Sequence, residues 1–361
     1  MIPLAQSGRA GLQLMGSLQR YSSTVLAERA KHAFYDANGF PEKIIGDRPS
    51  EEMEATLERA IEHANSIQAH RFNRLYQRIV AEAVYDRGIP AAEARRDAAQ
   101  EMLQPTPATE KTGKLTLNPD LQMPDYYEGV EWHLMPGGWD GYDLAMLMFM
   151  SGVVPYIFRH GGYAAVEVDA DIYGQRTGVL DQLPKATYGR IYEAGSGGTP
   201  TLGMLRRKFP DAELVGADLS GAMQRGGHEM DKKKGLGVHL KQEDCRQTSE
   251  PDKHYDAVVC YALFHETPDD VCADILKEML RIMAPGADII ISDPPPLRAL
   301  TPYAAVISDW ETDNREEPWF GASTRRNLPE ILSSIGYENA QDYALGDGSY
   351  PWVTRANKPE H

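Results

Sequence analysis

The stretch between residues 189 and 293 constrains the fold most. Five short runs rich in β-branched and aromatic residues occur there: GRIYEAG (189–195), AELVGAD (212–218), GVHLKQED (237–244), YDAVVCYAL (255–263) and ADIIISD (287–293). Segments of helical spacing separate them. Parallel strands need a crossover long enough to hold a helix, so this alternation predicts βαβ units and a parallel sheet covered on both faces. Two further runs, Ala340 to Leu345 and Tyr350 to Arg355, flank GDGS and predict a hairpin that closes the far edge. Seven strands in all are expected.

The first half reads as mostly helical. Glu51 and Glu52 follow Pro49-Ser50, which places acids in a helix's first turn. Apolar residues recur at Met53, Leu57, Ile61, Ala64 and Ile67, then at Leu75, Ile79 and Ala83, a stripe of helical period. A second helix is expected from Pro90 to about Met102, and QPTPATEKTGKLTLNPDLQMPD (104–125) reads as a long loop. The apolar run LAMLMFMSGVVPYIF (144–158) falls short of the roughly 20 residues that span a bilayer, so it predicts a buried helix and no membrane partner. At 361 residues the chain suits two domains. The expected division is a helical cap over 1–185 and a Rossmann-like α/β domain over 186–361.

Composition narrows the function. A formal net charge of −16 argues against nucleic acid, whose phosphates need basic patches. Three cysteines without a CxxC fit reduced thiols and a cytoplasmic location, and the ten histidines show no zinc pattern, so no metal is expected. The first 27 residues carry Arg9 and Arg20 and no acid before Glu28, a composition compatible with an organelle transit peptide. An amphipathic first helix is the plainer reading.

Chemistry concentrates at the carboxyl ends of the expected strands. The first run ends in Glu193-Ala194-Gly195-Ser196-Gly197-Gly198-Thr199, a turn where a ligand can approach the backbone beside a helix N-terminus. The second ends at Asp218, whose carboxylate can accept from a ribose diol, and the third at Glu243-Asp244, within reach of an adenine amino group. The fourth leads into FHETPDD (264–270). Thr267 and Pro268 suit a helix start there, which leaves His265 and Glu266 unexplained beside a switch point.

IYEAGSGG, GADLSGAM, the acid after the third strand, YDAVVCYALFHETP and EMLRIMAPGADIIISD occur in this order and resemble the class I S-adenosylmethionine-dependent methyltransferases, with Thr199 where that family often has a third glycine. The resemblance covers roughly the C-terminal half. It implies a seven-stranded Rossmann-like sheet and S-adenosyl-L-methionine as cofactor, with S-adenosyl-L-homocysteine as product. By position, Glu193 would set the glycine turn and face the cofactor's methionine end, and Gly195, Ser196 and Gly197 would give backbone contact. Asp218 would hold the ribose, Leu219 and Met223 would pack near the adenine, and Asp244 would meet its amino group, with Cys245 and Tyr261 also on the cofactor side. FHETPDD is similar to the H-D-x-x-D segment of small-molecule O-methyltransferases, which makes His265 the matching general base with Glu266 beside it.

Methyl transfer needs a cover that positions the acceptor and excludes water. The helical half would supply it through MPDYYEGVEWHLMPGGWDGYD, whose Tyr126, Tyr127, Trp132, His133, Trp139 and Tyr142 are the expected acceptor residues. The loop 307–323, with Glu316, Glu317 and Trp319, is a second expected cover. The helical half is also the candidate surface for a homodimer. The sequence therefore predicts methyl transfer to oxygen or sulfur of a small molecule, against three rivals: a small-molecule N-methyltransferase, a nicotinamide-dependent oxidoreductase and a catalytically silent cofactor-binding protein.

Overall fold

The computed structural model describes residues 4–36, 40, 51–104, 112–162, 169–346 and 350–360. The expected helix start at Pro49-Ser50 and most of the GDGS tip lie outside them. Eight strands form one sheet: β1 Lys114–Thr116, β2 Arg190–Ala194, β3 Glu213–Asp218, β4 His239–Gln242, β5 Tyr255–Tyr261, β6 Met283–Asp293, β7 Glu338–Ala344 and β8 Trp352–Asn357. Their order is β1-β4-β3-β2-β5-β6-β8-β7. Only β8 runs against its neighbours, pairing antiparallel with β6 and β7. The seven expected strands and the far-edge hairpin are all present, with β1 in addition.

The central strands are apolar on both faces because helices cover both. Tyr192 and Ala194 of β2 point into one cluster with Val258, Cys260 and Ile291, under the helices Asp269–Ile282 and Leu328–Ile335. Ile191, one residue away, points into the opposite cluster with Leu214, Val259 and Ile290. From β2 the chain steps outward to β3 and β4, then returns to β5 on the other side. The crevice above the β2 and β5 carboxyl ends is the switch point where open α/β sheets bind ligands.

Three expectations change. The helix Gln68–Glu93 runs through Pro90, and the next one begins at Arg96. Its buried face continues across the proline from Tyr85 and Gly88 to Ala91 and Ala92, so packing overrides the local break. The expected loop 104–125 contains β1, paired in parallel with β4 from Lys114 beside His239 to Thr116 beside Lys241. A Cβ on Gly113 would stand 1.7 Å from the Val238 carbonyl oxygen, so only glycine fits this approach. The helix Ile172–Leu180 also packs on the sheet, with Val179 and Leu180 in the cluster of Ile191 and Ile290. A division at residue 186 therefore cuts through the layers of the sheet domain rather than between domains.

The apolar run is helical, as Ala145–Met148 followed by π-helical turns over Phe149–Gly161. With the helices Gln6–Tyr21 and Gln68–Glu93 it forms a second core, holding Leu12, Val84, Met148 and Val153.

Candidate active site

The turn after β2 is built for close approach. Gly195, Gly197 and Thr199 all have positive φ (68°, 48° and 68°), and Pro200 then opens the helix Pro200–Lys208. A Cβ on Gly195 would lie 2.7 Å from Leu263, and one on Gly198 would lie 1.6 Å from the Met146 methyl. Thr199 holds a left-handed conformation that glycine would adopt without strain. Asp218 fixes the turn: Oδ2 accepts from the Gly197 N–H at 2.9 Å and Oδ1 from the Ser220 N–H at 2.9 Å. Its lone pairs are not exhausted, so it can also accept from a ligand hydroxyl. Burial raises Asp218 to about 6. Burial raises Glu193 further, to about 8, and its Oε2 has no hydrogen-bond partner.

The opposite wall comes from residues 131–143. Trp139 stitches the two halves together: its carbonyl accepts from the Ser220 hydroxyl at 2.6 Å, while the same hydroxyl caps the helix Gly221–Lys234 by accepting from the Met223 N–H. Asp140 accepts from the Ala222 N–H at 3.2 Å. The Trp139 indole N–H reaches both Glu266 carboxylate oxygens, at 3.2 and 3.1 Å. The pair Pro136-Gly137 and Gly138 is a turn, with both glycines at positive φ.

Behind Trp139 lies a buried cluster of imidazoles and carboxylates. His133 pairs through Nδ1 with Glu317, which is 1% exposed, and its Nε2 lies 3.7 Å from Glu266 Oε1. His265 sits in a short 3₁₀ turn, Phe264–Glu266, after β5. Its Nδ1 is 2.6 Å from Asp293 Oδ1, and its Nε2 is 3.8 Å from Glu266 Oε1. Asp293, at the carboxyl end of β6, also accepts from the Phe264 and His265 N–H groups. Arg326 clamps the turn, donating to the Phe264 and Thr267 carbonyls and to Asp269. The helix therefore begins at Asp269, and the Thr267 hydroxyl turns back to the Phe264 carbonyl instead of capping it.

Electrostatics modify the expected role of His265. Burial opposes its charge most, yet the Asp293 hydrogen bond and charge, with Glu266 and Glu317, outweigh that and raise it to about 9. With Nδ1 held by Asp293 and three carboxylates favouring a cation at this ring, the imidazole is not a free base at neutral pH. His133 is raised too, Glu317 overcoming the burial penalty. Burial lifts Glu266 above the ordinary carboxylate range. These groups act as a unit.

One cavity of about 250 Å³ joins the glycine turn to this cluster. Every residue expected on the cofactor side lines it except Asp244. Arg246 chelates the Asp244 carboxylate, donating at 2.9 and 2.7 Å, and turns it to the opposite side, so Cys245 is the residue that faces the cavity. Tyr126, Tyr127, His133 and Trp139 line the far end with His265 and Glu266. Trp132 and Tyr142 do not. Trp132 is fully buried against Tyr127 and Gly138, and the Tyr142 hydroxyl donates to Glu93 at 2.7 Å.

Sequence reasoning missed several residues. Asp293 carried the signal of an acid at the carboxyl end of the fifth run. Met146 and Met150, four apart, share the cavity wall while Met148 between them is core, the outcome that helical spacing imposes. Arg176, stacked 4.2 Å over the Tyr261 ring, had no signal in the pattern.

Residues 191–286 match the family described as Methyltransferase domain. That match, on this sheet order and this turn, places the domain in the class I S-adenosylmethionine-dependent methyltransferase superfamily. Among curated proteins, the demethylmenaquinone methyltransferase of Thermus thermophilus is 31% identical over 130 residues, 35% of this chain and 56% of that protein. That of Deinococcus radiodurans is 27% identical over 133 residues, 37% of this chain and 46% of that protein. The chain thus spans about half the length of the curated relatives it matches. Among solved structures, phosphoethanolamine N-methyltransferase 2 of Haemonchus contortus, in complex with S-adenosyl-L-methionine, aligns at a TM-score of 0.46 and 13% identity, covering 66% of this chain and 60% of that one. The PH0226 protein of Pyrococcus horikoshii aligns at 0.40 and 18% identity, over 53% of this chain and 93% of that one.

Proposed function

We propose that the protein transfers a methyl group from S-adenosylmethionine to an oxygen or sulfur atom of a small molecule. The observation that carries this reading is the single cavity with a nucleotide-type turn at one end and a buried His–Glu cluster at the other. The cofactor fits the residues present: Glu193 offers an unpartnered buried oxygen to a cation, and Asp218 keeps acceptor capacity for hydroxyls. When bound, the cofactor supplies the electrophilic methyl at its sulfonium. Tyr126, Tyr127, Trp139 and Phe149 orient the acceptor and exclude water, which is where most of the rate of such a displacement originates. Handling of the acceptor's proton falls to His133, His265, Glu266 and Glu317 together.

The carboxylates of Glu266 and Glu317 favour an amine acceptor, the second reading. Against it, each already faces an imidazole, His133 or His265, so an ammonium would have to displace that contact. A nicotinamide dinucleotide is disfavoured because an acid, Glu193, lies under the turn where a pyrophosphate would sit. The curated relatives' acceptor is not carried over. The matched segment contains none of Tyr126, His133, Trp139 and Glu317, which form the acceptor wall. A cytoplasmic protein and a homodimer through the helical region are part of the proposal. No helix among the described residues is long and apolar enough to cross a membrane, and Phe72, Leu75 and Ile79 are exposed on one helix face. Size-exclusion chromatography with light scattering should give twice the chain mass.

Thermal shift with S-adenosylhomocysteine and NADH should show stabilisation by the first alone, and labelled cofactor with a panel of hydroxyl, thiol and amine acceptors should label a hydroxyl or thiol. Stabilisation by NADH alone, or label only on amines, overturns the reading.

A further inference from the structure

We propose that the acceptor end of the cavity binds a divalent first-row transition-metal cation through His265, Glu266 and Glu317, with His133 beside them. The His-rich zinc patterns of sequence do not reveal this site, because its residues come from three separate segments. His133 comes from the cap, His265 and Glu266 from the turn after β5, and Glu317 from the loop after the helix Pro302–Asn314.

Geometry is the first support. His265, Glu266 and Glu317 each bring one ligand atom within 4.8 Å of the others. His265 Nε2 stands 3.8 Å from Glu266 Oε1. This separation exceeds a hydrogen bond, yet two bonds of about 2.1 Å from one cation span it easily. The surroundings are the second support. A metal-bound histidine usually gives its other ring N–H to a carboxylate, and here Asp293 holds His265 Nδ1 at 2.6 Å, leaving Nε2 toward the cluster. Glu266 is oriented by the Trp139 indole N–H, and His133 Nδ1 is engaged by Glu317. Glu317 is buried with Oε1 paired to His133 Nδ1, and its Oε2 has no hydrogen-bond partner, which leaves one oxygen for a cation.

The donor set selects the ion. One imidazole with two carboxylates suits zinc, iron(II), cobalt(II) or manganese(II), whereas magnesium and calcium prefer all-oxygen shells. The cluster lines the cavity where the acceptor must lie, so the role of the cation rests on the methyl-transfer reading although its binding does not. A coordinated acceptor hydroxyl would have a lowered pKa and give its proton to water as it enters the cavity, before water is excluded. Its oxygen lone pair then forms the new C–O bond as the C–S bond breaks, the electron pair remaining on sulfur. The acceptor class is accordingly an oxygen nucleophile.

The test uses full-length protein stripped with chelator and dialysed. Titration calorimetry with zinc sulfate and with manganese(II) chloride, checked by elemental analysis, should give one equivalent per chain for wild type. Glu317→Gln and Glu266→Gln should each weaken binding at least tenfold while S-adenosylhomocysteine affinity stays within about twofold, the latter showing that the fold is intact. Failure of wild-type protein to bind an equivalent of either ion overturns the proposal, as does equal binding by the double variant. If a variant also loses S-adenosylhomocysteine binding, wild-type stoichiometry together with Asp293→Asn, expected to weaken the metal about tenfold, decides. Metal binding without methyl transfer to any acceptor would overturn the enzymatic reading and leave the site standing. Transfer at full rate in metal-free protein would overturn the cation's role in the reaction.

Discussion

At the scale of single residues, Glu193 makes the sharpest claim. It is the last residue but one of β2, and burial raises it to about 8, with the Thr201 hydrogen bond and Arg176 drawing it down and Asp218 pushing it up. At pH 7 the ligand-free protein therefore holds a proton there. The cofactor's α-ammonium would stabilise the carboxylate and expel that proton, so binding at pH 7 should release close to one proton. The sign follows directly: affinity rises with pH up to about 8 and levels off above it, because the free protein is then already ionised. Calorimetry of S-adenosylhomocysteine in phosphate and in Tris, which differ in ionisation enthalpy, reads the number released. Glu193→Gln should release none at pH 7, and release equal to wild type would remove Glu193 from the cofactor's charged end. Asp218 shows what a residue's type and position reveal and what they hide. An acid at the end of the second run was legible as a ribose ligand, but its grip on the Gly197 and Ser220 amides was not.

At the scale of elements, periodicity made the five parallel strands and the final hairpin legible, because buried parallel strands are apolar throughout and need helices between them. β1 was not legible. Three residues inside a stretch rich in Pro, Thr and Asn carry no periodic signal, and what makes Lys114–Thr116 a strand is the free edge of β4. Gly113 tests this, since its closeness to Val238 exists only if β1 is paired. Gly113→Ala should destabilise by about 1–3 kcal/mol through overpacking, visible as a lower thermal midpoint. An unchanged midpoint would mean that β1 is not held on β4. The segment 131–143 was legible only in part. Its aromatics pointed to a cavity wall, but alternation alone does not say which of them face inward. His133 and Trp139 do, while Trp132 fills the space behind Gly138 and Tyr142 secures Glu93.

At the scale of the whole molecule, the helical half is joined to the sheet at more places than composition suggests. β1 and the helix Ile172–Leu180 lie in the sheet's own layers, and Trp139 and Asp140 hold the start of the helix that follows β3. A fragment beginning at residue 186 would uncover Ile191, Leu214 and Ile290 where Val179 and Leu180 now pack. Burial of each such side chain is worth roughly 1.5–3 kcal/mol, a large part of the marginal stability of any domain. Both 186–361 and 169–361 uncover Leu297, Tyr303 and Val306, which pack on the N-terminal helices, but only the shorter also loses Val179 and Leu180, so it should melt lower and bind more of a hydrophobic dye than 169–361. The longer fragment keeps Glu193, Asp218 and the glycine turn, so it should still bind S-adenosylhomocysteine, more weakly because Met146 and Trp139 no longer close the cavity. It lacks His133 and the aromatic wall, so it should transfer no methyl group to an acceptor that the full chain accepts. Cooperative melting of 186–361 at the midpoint of the longer fragment would show instead that the helix Ile172–Leu180 is an appendage rather than a layer of the domain.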